Sequence, residues 1–346
     1  MKKATALYFL KPKVITYREE VLPPLKKDHV QICTKFSAIS AGTEMLMYRG
    51  DFPDDLLTDV SISALAGQLK YPMKYGYSLV GQITDVAKNV DRKLVGKWAF
   101  VFHPHQTELV VNLSDLFLIP PSITPLEALF FPNLETAISV VMDARPVLGE
   151  RIVIFGQGVV GLLTTALLAK IPHSMLIAID PIKKRLKMAK KFGADHVLSP
   201  LDKNYHRSLQ QLLGVRLASH NESAGADLVV ELSGNPDTLN SALELAGYQA
   251  RIIVGSWYGN KIAFLNLGKH FHRHRLQITG SQVSTISPYL RGRWNKQRRF
   301  DFTWHMLTKI KPSSLISHRI PFSMAENAYQ LIDQQPDSIL QVVLTY

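Results

Sequence analysis

The stretch IVIFGQGVVGLLTTALLAK, residues 152–170, constrains the chain more than any other: an apolar run, three glycines within six positions, then a second apolar run. A short β-branched run stopped by glycine predicts a buried strand, and the longer run predicts a helix. Gly156, Gln157, Gly158, Val159, Val160 and Gly161 form the G-x-G-x-x-G turn that joins them. Gly156 permits the tight turn, Gly158 lets backbone approach a pyrophosphate, and Gly161 lets the helix pack close on the strand. The free N–H groups and positive end of that helix face the phosphates. The next predicted strand, MLIAID, ends in Asp180, about where a carboxylate bonds the adenosine ribose hydroxyls. This is a dinucleotide site. Asp180 repels a 2′-phosphate and points to NAD, while Lys183, Lys184 and Arg185 soften that preference and leave NADP as the second choice.

The rest of the chain arranges itself around this turn. Residues 1–119 are β-rich, with runs such as HVQICTKFSAIS, SLVGQITDVAKNV and KWAFVFHPHQTELVVN separated by Gly, Pro, Asn and Asp. From 120 to 280 helix and strand alternate: TPLEALFFPNLETAISVVMDA reads as one helix, then come strands RIVIF, MLIAID, DHVL, DLVVEL, RIIVG and LQITG. Continuous apolar strands between helices predict an α/β fold, a doubly wound parallel sheet with helices on both faces. Residues 281–346 return to a turn, a helix and a closing strand.

Length and composition narrow the classes. A chain of 346 residues, 46% hydrophobic and 20% charged, has the balance of a globular protein of two domains. No apolar run reaches the roughly 18 residues of a membrane span. The start MKKATALYFLKP reads as a first strand rather than a signal peptide. Cys33 is the only cysteine, which excludes an internal disulfide and multi-cysteine metal sites and fits the cytoplasm. Net charge is +12, densest in KHFHRHR (269–275) and RGRWNKQRR (291–299), with no nucleic-acid-binding motif beside it.

With these residues in hand, the chain resembles the medium-chain dehydrogenase/reductase superfamily, whose best-known members are alcohol dehydrogenases. The resemblance covers nearly the whole chain and implies a GroES-like β-barrel catalytic domain (1–119), a Rossmann domain (120–280) and a return to the catalytic domain (281–346). In zinc-dependent members a ligand cysteine precedes Gly-Thr/Ser-Asp and a Gly-His-Glu follows. Here the matching stretches are SAGTEMLMYRG (40–50) and KYGYSLVGQI (74–83), so the ligand positions fall on Ala41 (or Ser40 if the register slips by one), Tyr77 and Ser78. The third ligand falls near Pro132 or Asn133. None offers a thiolate or imidazole, so no metal and no zinc is expected. ISAGTE with YPMKYGYSLVG is most similar to the zinc-free branch around bacteriochlorophyllide dehydrogenase.

The resemblance also supplies roles. Tyr77 stands where the ligand histidine would and can aim its hydroxyl at the reacting oxygen. Thr43 matches the proton-relaying hydroxyl. Glu44 matches the neighbouring acid, able to hold Thr43, act as a base or bond the barrel. His105 is a candidate acid or base, and His103 begins the substrate pocket. Thr136 touches the nicotinamide ring, and Val254 and Gly280 face its carboxamide. Gln341 stands where relatives carry a basic pyrophosphate contact. Arg291, Arg293, Arg298 and Arg299 provide forked donors for an anionic substrate, with Trp294 to stack on a planar ring. The expected activity is hydride transfer between the cofactor and a small alcohol or carbonyl, by a homo-oligomer with no membrane or nucleic-acid partner. An NADPH-dependent quinone or enoyl reductase, and a non-catalytic dinucleotide binder with a basic interaction face, are the competing readings.

Overall fold

The computed structural model describes residues 2–53, 62–65, 67, 69–214 and 224–346. The chain folds into two compact units: Met1–Pro132 with Trp304–Tyr346, and Asn133–Thr303. In the first stretch the strands are β1 (Lys3–Lys11), β2 (Val14–Val21), β3 (His29–Ile39), β4 (Leu79–Val86), β5 (Trp98–Val101), β6 (Glu108–Asn112) and β7 (Leu116–Leu118), with helix α1 (Thr43–Arg49). Then follow α2 (Pro125–Ala128), α3 (Phe131–Ala144), β8 (Arg151–Phe155), α4 (Val159–Leu168), β9 (Met175–Ile179), α5 (Lys183–Lys191), β10 (His196–Leu198) and α6 (Tyr205–Leu213). After them come β11 (Ala226–Glu231), α7 (Thr238–Leu245), β12 (Ala246–Val254), α8 (His270–Arg273), β13 (Gln277–Gly280), α9 (Lys296–Ile310), β14 (Ile316–Pro321), α10 (Ala325–Gln334) and β15 (Gln341–Thr345).

The first unit is β-rich. Its main sheet runs β14-β15-β3-β4-β5-β7, with β6 on β3, and β1 and β2 form a hairpin. Phe9, Met45, Met47 and Tyr329 pack in one buried cluster under α1 and α10. In the second unit the parallel order is β10-β9-β8-β11-β12-β13, the doubly wound arrangement expected of a dinucleotide-binding sheet. β8, β9 and β11 are continuous apolar runs because helices cover both of their faces. Register aligns Leu198, Ile179, Phe155, Glu231, Val254 and Gly280 as one row of strand ends. Among the described residues no helix is long and apolar enough to cross a membrane.

Two readings shift. The single helix expected over 124–144 is broken into α2 and α3. Pro132 has no N–H to donate, so it is tolerated in a first turn but not in a helix interior. Segments 120–132 and 304–346 belong to the first compact unit, and 281–303 to the second. The alternation of strand and helix marks local rhythm, whereas membership of a core depends on packing: Phe131 stacks among Phe100, Phe117 and Trp304 of the first unit.

Candidate functional site

In the second unit the three glycines of the turn meet three different constraints. Gly156 has φ +86°, and a Cβ there would lie 2.5 Å from the Leu232 carbonyl. A Cβ on Gly161 would lie 2.0 Å from the Gly156 oxygen. A Cβ on Gly158 would meet nothing within 4 Å, so the space over this residue is open. Gly158 also caps α4 without any side-chain hydrogen bond, which leaves the helix N-terminus to an outside anion. Val159 and Val160 begin that helix. The Gln157 side chain turns inward and accepts from Thr165 Oγ1 at 2.9 Å, so only its backbone faces the turn.

Asp180 ends the next strand as expected, but its carboxylate is 2% exposed and already engaged. It accepts from the backbone N–H groups of Gln157 (2.7 Å) and Ile182 (2.8 Å), and Arg185 Nη1 lies 3.8 Å away. The acid therefore braces the glycine turn. Val254 and Gly280 pair across β12 and β13 at the same edge, and Thr136 is half-buried on α3. Glu231, which nothing in the sequence sets apart from other acids, is fully buried in this row. It accepts from Ser233 N–H at 2.7 Å, Thr238 Oγ1 at 3.1 Å, and the Tyr258 hydroxyl.

The basic segment divides. Arg291 and Arg293 are exposed, Arg291 donating to the Ile286 carbonyl at 3.3 Å. The Arg298 guanidinium lies 4.2 Å over the Trp294 ring, so one face of the indole is taken. Arg299 is no surface fork: it is 1% exposed and ion-paired with Glu135 at 2.6 Å. The sequence could not separate four neighbouring arginines; in the fold Arg291 and Arg293 precede α9, and the phase of that helix separates Arg298 from Arg299.

In the first unit burial pushes the Tyr77 hydroxyl up to about 12, outweighing the hydroxyls of Ser40 and Thr43, which stand beside it and act to lower it. Three hydroxyls thus meet at the mouth of α1, beside exposed Ala41 and Gly42. The sequence offers Ser40 only as the alternative to Ala41 at a ligand position and gives its hydroxyl no part in proton transfer. Ser78 does not face this group; its hydroxyl donates to the Leu129 carbonyl at 2.7 Å. Gln341 donates to the Ile39 and Val342 carbonyls and is buried in the sheet.

Behind the hydroxyls lies a buried polar chain. His105 is fully buried, with Nδ1 2.7 Å from Ser37 Oγ and Nε2 2.9 Å from Glu44 Oε2. Glu44 also accepts from the Tyr329 hydroxyl (2.7 Å) and the Ser40 N–H (2.8 Å), while Ser37 meets the Tyr346 hydroxyl at 2.9 Å. Glu44 thus holds the loop that carries Ser40 and Thr43, and His105 holds Glu44. Gly76 makes room for the imidazole: a Cβ there would lie 3.0 Å from the ring. His103 is half-buried, its Nδ1 2.8 Å from the Pro104 carbonyl. Among the described residues no group of three His, Cys, Asp or Glu side chains could hold a metal ion.

Burial lowers His103 from its ordinary 6.5 to about 4, with Lys74 adding to the effect. The folded protein keeps this ring neutral where the unfolded chain takes up a proton, so its contribution is present above pH 6.5 and is lost as pH falls toward 4. Denaturation at about pH 7 and about pH 4.5 should show His103→Gln recovering up to about 2 kcal/mol of the acid-side loss. An unchanged pH dependence would rule His103 out as the cause.

Comparison with known proteins finds dehydrogenases with the same fold. A family described as zinc-binding dehydrogenase matches residues 159–297. The chain is 25% identical over its whole length to the D-guloside 3-dehydrogenase of Escherichia coli K12, covering 100% of both. It is 23% identical to an L-threonine 3-dehydrogenase of Caldanaerobacter subterraneus over 58% of this chain and 68% of that one. Among solved structures, a short chain alcohol dehydrogenase from E. coli CFT073 complexed with NADH superposes with a TM-score of 0.78 at 20% identity, covering 99% of each chain. Galactitol-1-phosphate dehydrogenase from E. coli gives 0.77 at 20% identity, over 99% of this chain and 100% of that one.

Proposed function

We propose that this chain, a member of the alcohol-dehydrogenase-like medium-chain dehydrogenase/reductase family, is an NAD-linked, zinc-independent dehydrogenase that interconverts a secondary alcohol of a hydroxyl-rich substrate and its ketone. The observation that carries the cofactor reading is the open, uncapped helix N-terminus at Gly158, with Asp180 at the end of the adjacent strand. The backbone N–H groups opening α4 would hold the pyrophosphate and Asp180 the adenosine ribose. Two full- or part-length relatives are named as 3-dehydrogenases of a guloside and of threonine, where position 3 is a secondary hydroxyl. The exposed Arg291 and Arg293 suit a substrate that carries an acidic substituent.

NAD supplies the hydride acceptor when bound. The chain's own part is at the substrate oxygen. Tyr77, protonated throughout the neutral range, would donate to the ketone oxygen in one direction. In the other it would take the alcohol proton while passing its own to Ser40 or Thr43, whose hydroxyl gives up its own proton to solvent in the same relay. The carboxylate of Glu44 and the ring of His105 position that relay and do not touch the reacting oxygen.

The ligand positions do not fit zinc. Ala41 and Pro132 have no side-chain donor atom, Ser78 is committed to Leu129, and the Tyr77 hydroxyl, which burial holds up to about 12, is no thiolate or imidazole. The zinc-binding family description matches residues 159–297, which contain none of these positions. Elemental analysis of protein prepared without chelators is expected to find below about 0.1 zinc per chain; one held zinc per chain would overturn this part of the mechanism.

Calorimetric titration tests the cofactor. NADH should bind at least about tenfold more tightly than NADPH, because Asp180 stands where a 2′-phosphate would sit. Asp180→Ser should narrow that gap and, by releasing the Gln157 and Ile182 N–H groups, should also weaken NADH somewhat. Equal or reversed affinities in the unaltered protein would sink the NAD assignment. Turnover of polyols and glycosides with NAD would then identify the substrate class and exclude a non-catalytic role.

A further inference from the structure

We propose that Arg299, paired with Glu135, is a positioning residue for the nicotinamide half of the cofactor: it holds residues 281–287, the irregular segment leaving β13, in the conformation that the nicotinamide end meets. This rests on the dinucleotide reading above.

All of the contacts lie within the second unit. A guanidinium has five N–H donors, and each of Arg299's has a partner. Nε and Nη2 donate to Glu135 Oε1 at 3.1 and 2.6 Å, Nη1 donates to Ser139 Oγ at 2.9 Å and the Thr285 carbonyl at 3.1 Å, and Nη2 reaches the Val283 carbonyl at 2.6 Å. Three of these bonds go to α3 and two to the backbone of the irregular segment. The segment has a second tether to the same helix, Ser281 Oγ donating to Asp143 Oδ2 at 2.6 Å. Its first peptide is anchored by Ser281 N–H to the Val254 carbonyl at 2.8 Å.

Burying an ion pair is a poor route to stability, since an apolar pair of the same shape avoids the desolvation cost. What the fork adds is direction: two carbonyls and one carboxylate held in one plane by one rigid group. Direction matters at this place in the sheet. A dinucleotide with its pyrophosphate on α4 and its adenosine ribose at Asp180 extends its other nucleotide over the half built from β11, β12 and β13. The strand ends there are Glu231, Val254 and Gly280. The peptide groups immediately beyond Gly280 are those of 281–287, without helix or strand of their own. Backbone that has to offer hydrogen bonds to a carboxamide needs outside support. Glu135 also immediately precedes Thr136, so the same pair lies beside the residue expected at the ring and holds the segment beyond β13.

The test uses the full chain and two ligands. NADH and ADP-ribose share the adenosine, both phosphates and the second ribose; only NADH carries the nicotinamide. Arg299→Lys keeps a cation beside Glu135 but gives up the fork. It is expected to weaken NADH about tenfold while ADP-ribose stays within about twofold. Ser281→Ala loosens the other tether at little cost to folding and should show the same selective loss at a smaller size, which decides the matter if the lysine variant does not fold. Equal losses for both ligands, or no loss in either variant, would overturn the positioning role. Failure of the unaltered protein to bind ADP-ribose would instead overturn the dinucleotide reading itself.

Discussion

Replacing Gly158 by valine is expected to weaken NADH binding at least about a thousandfold while moving the melting temperature of the unliganded protein by no more than about 3 °C. The two effects separate because the residue faces open space. Its backbone is extended, a Cβ there would meet nothing within 4 Å, and so the fold gains no clash from a side chain. The only folding cost is the poorer helix N-cap, about 1 kcal/mol. A bound pyrophosphate, however, needs backbone N–H groups at contact distance, and a valine fills the volume through which they are reached. Losing two charge-assisted bonds at about 2 kcal/mol each accounts for the size. Gly161 is the control with the opposite signature: a Cβ 2.0 Å from the Gly156 oxygen should prevent folding as well as binding. Unchanged NADH affinity in Gly158→Val would show that no dinucleotide sits on α4.

Tyr77→Phe should lower the rate of the chemical step by about 10²- to 10³-fold while leaving NADH affinity unaltered. Phenylalanine preserves the ring that packs against the buried cluster of the first unit and removes only the hydroxyl shared with Ser40 and Thr43. Because burial holds that hydroxyl up to about 12, it is protonated across the neutral range. The variant should therefore lose rate evenly between about pH 6 and pH 9 without shifting any inflection there. Ser40→Ala and Thr43→Val, which break the relay one step further out, should each cost about tenfold. Full activity in Tyr77→Phe would return this tyrosine to packing alone. A changed pH inflection would point to a phenolate base, which the burial of Tyr77 opposes.

Much of this was readable in the chain. The glycine spacing determined the strand–turn–helix unit, since Gly156 is demanded by its positive φ in the turn and Gly161 by the close approach of the Gly156 oxygen, whereas the Leu232 carbonyl that also crowds Gly156 comes from a distant strand end. The apolar runs RIVIF, MLIAI and ADLVVE determined a parallel sheet, because strands covered on both faces have no need of alternation. Asp180 followed from its distance along the chain. Tertiary structure decided everything that depends on which distant side chains meet. His105 and Glu44 are 61 positions apart and join only because β3, α1 and the β5–β6 loop converge on one core. Four arginines between 291 and 299 look alike as letters, yet Arg291 and Arg293 precede α9 and are exposed, and within α9 Arg299 turns inward to Glu135, 164 positions away, while Arg298 stays outside. Local rules such as glycine geometry and strand patterning act through neighbours and are written in the sequence. The charge state, burial and partner of a polar side chain are set by long-range packing, and no spacing along the chain records them.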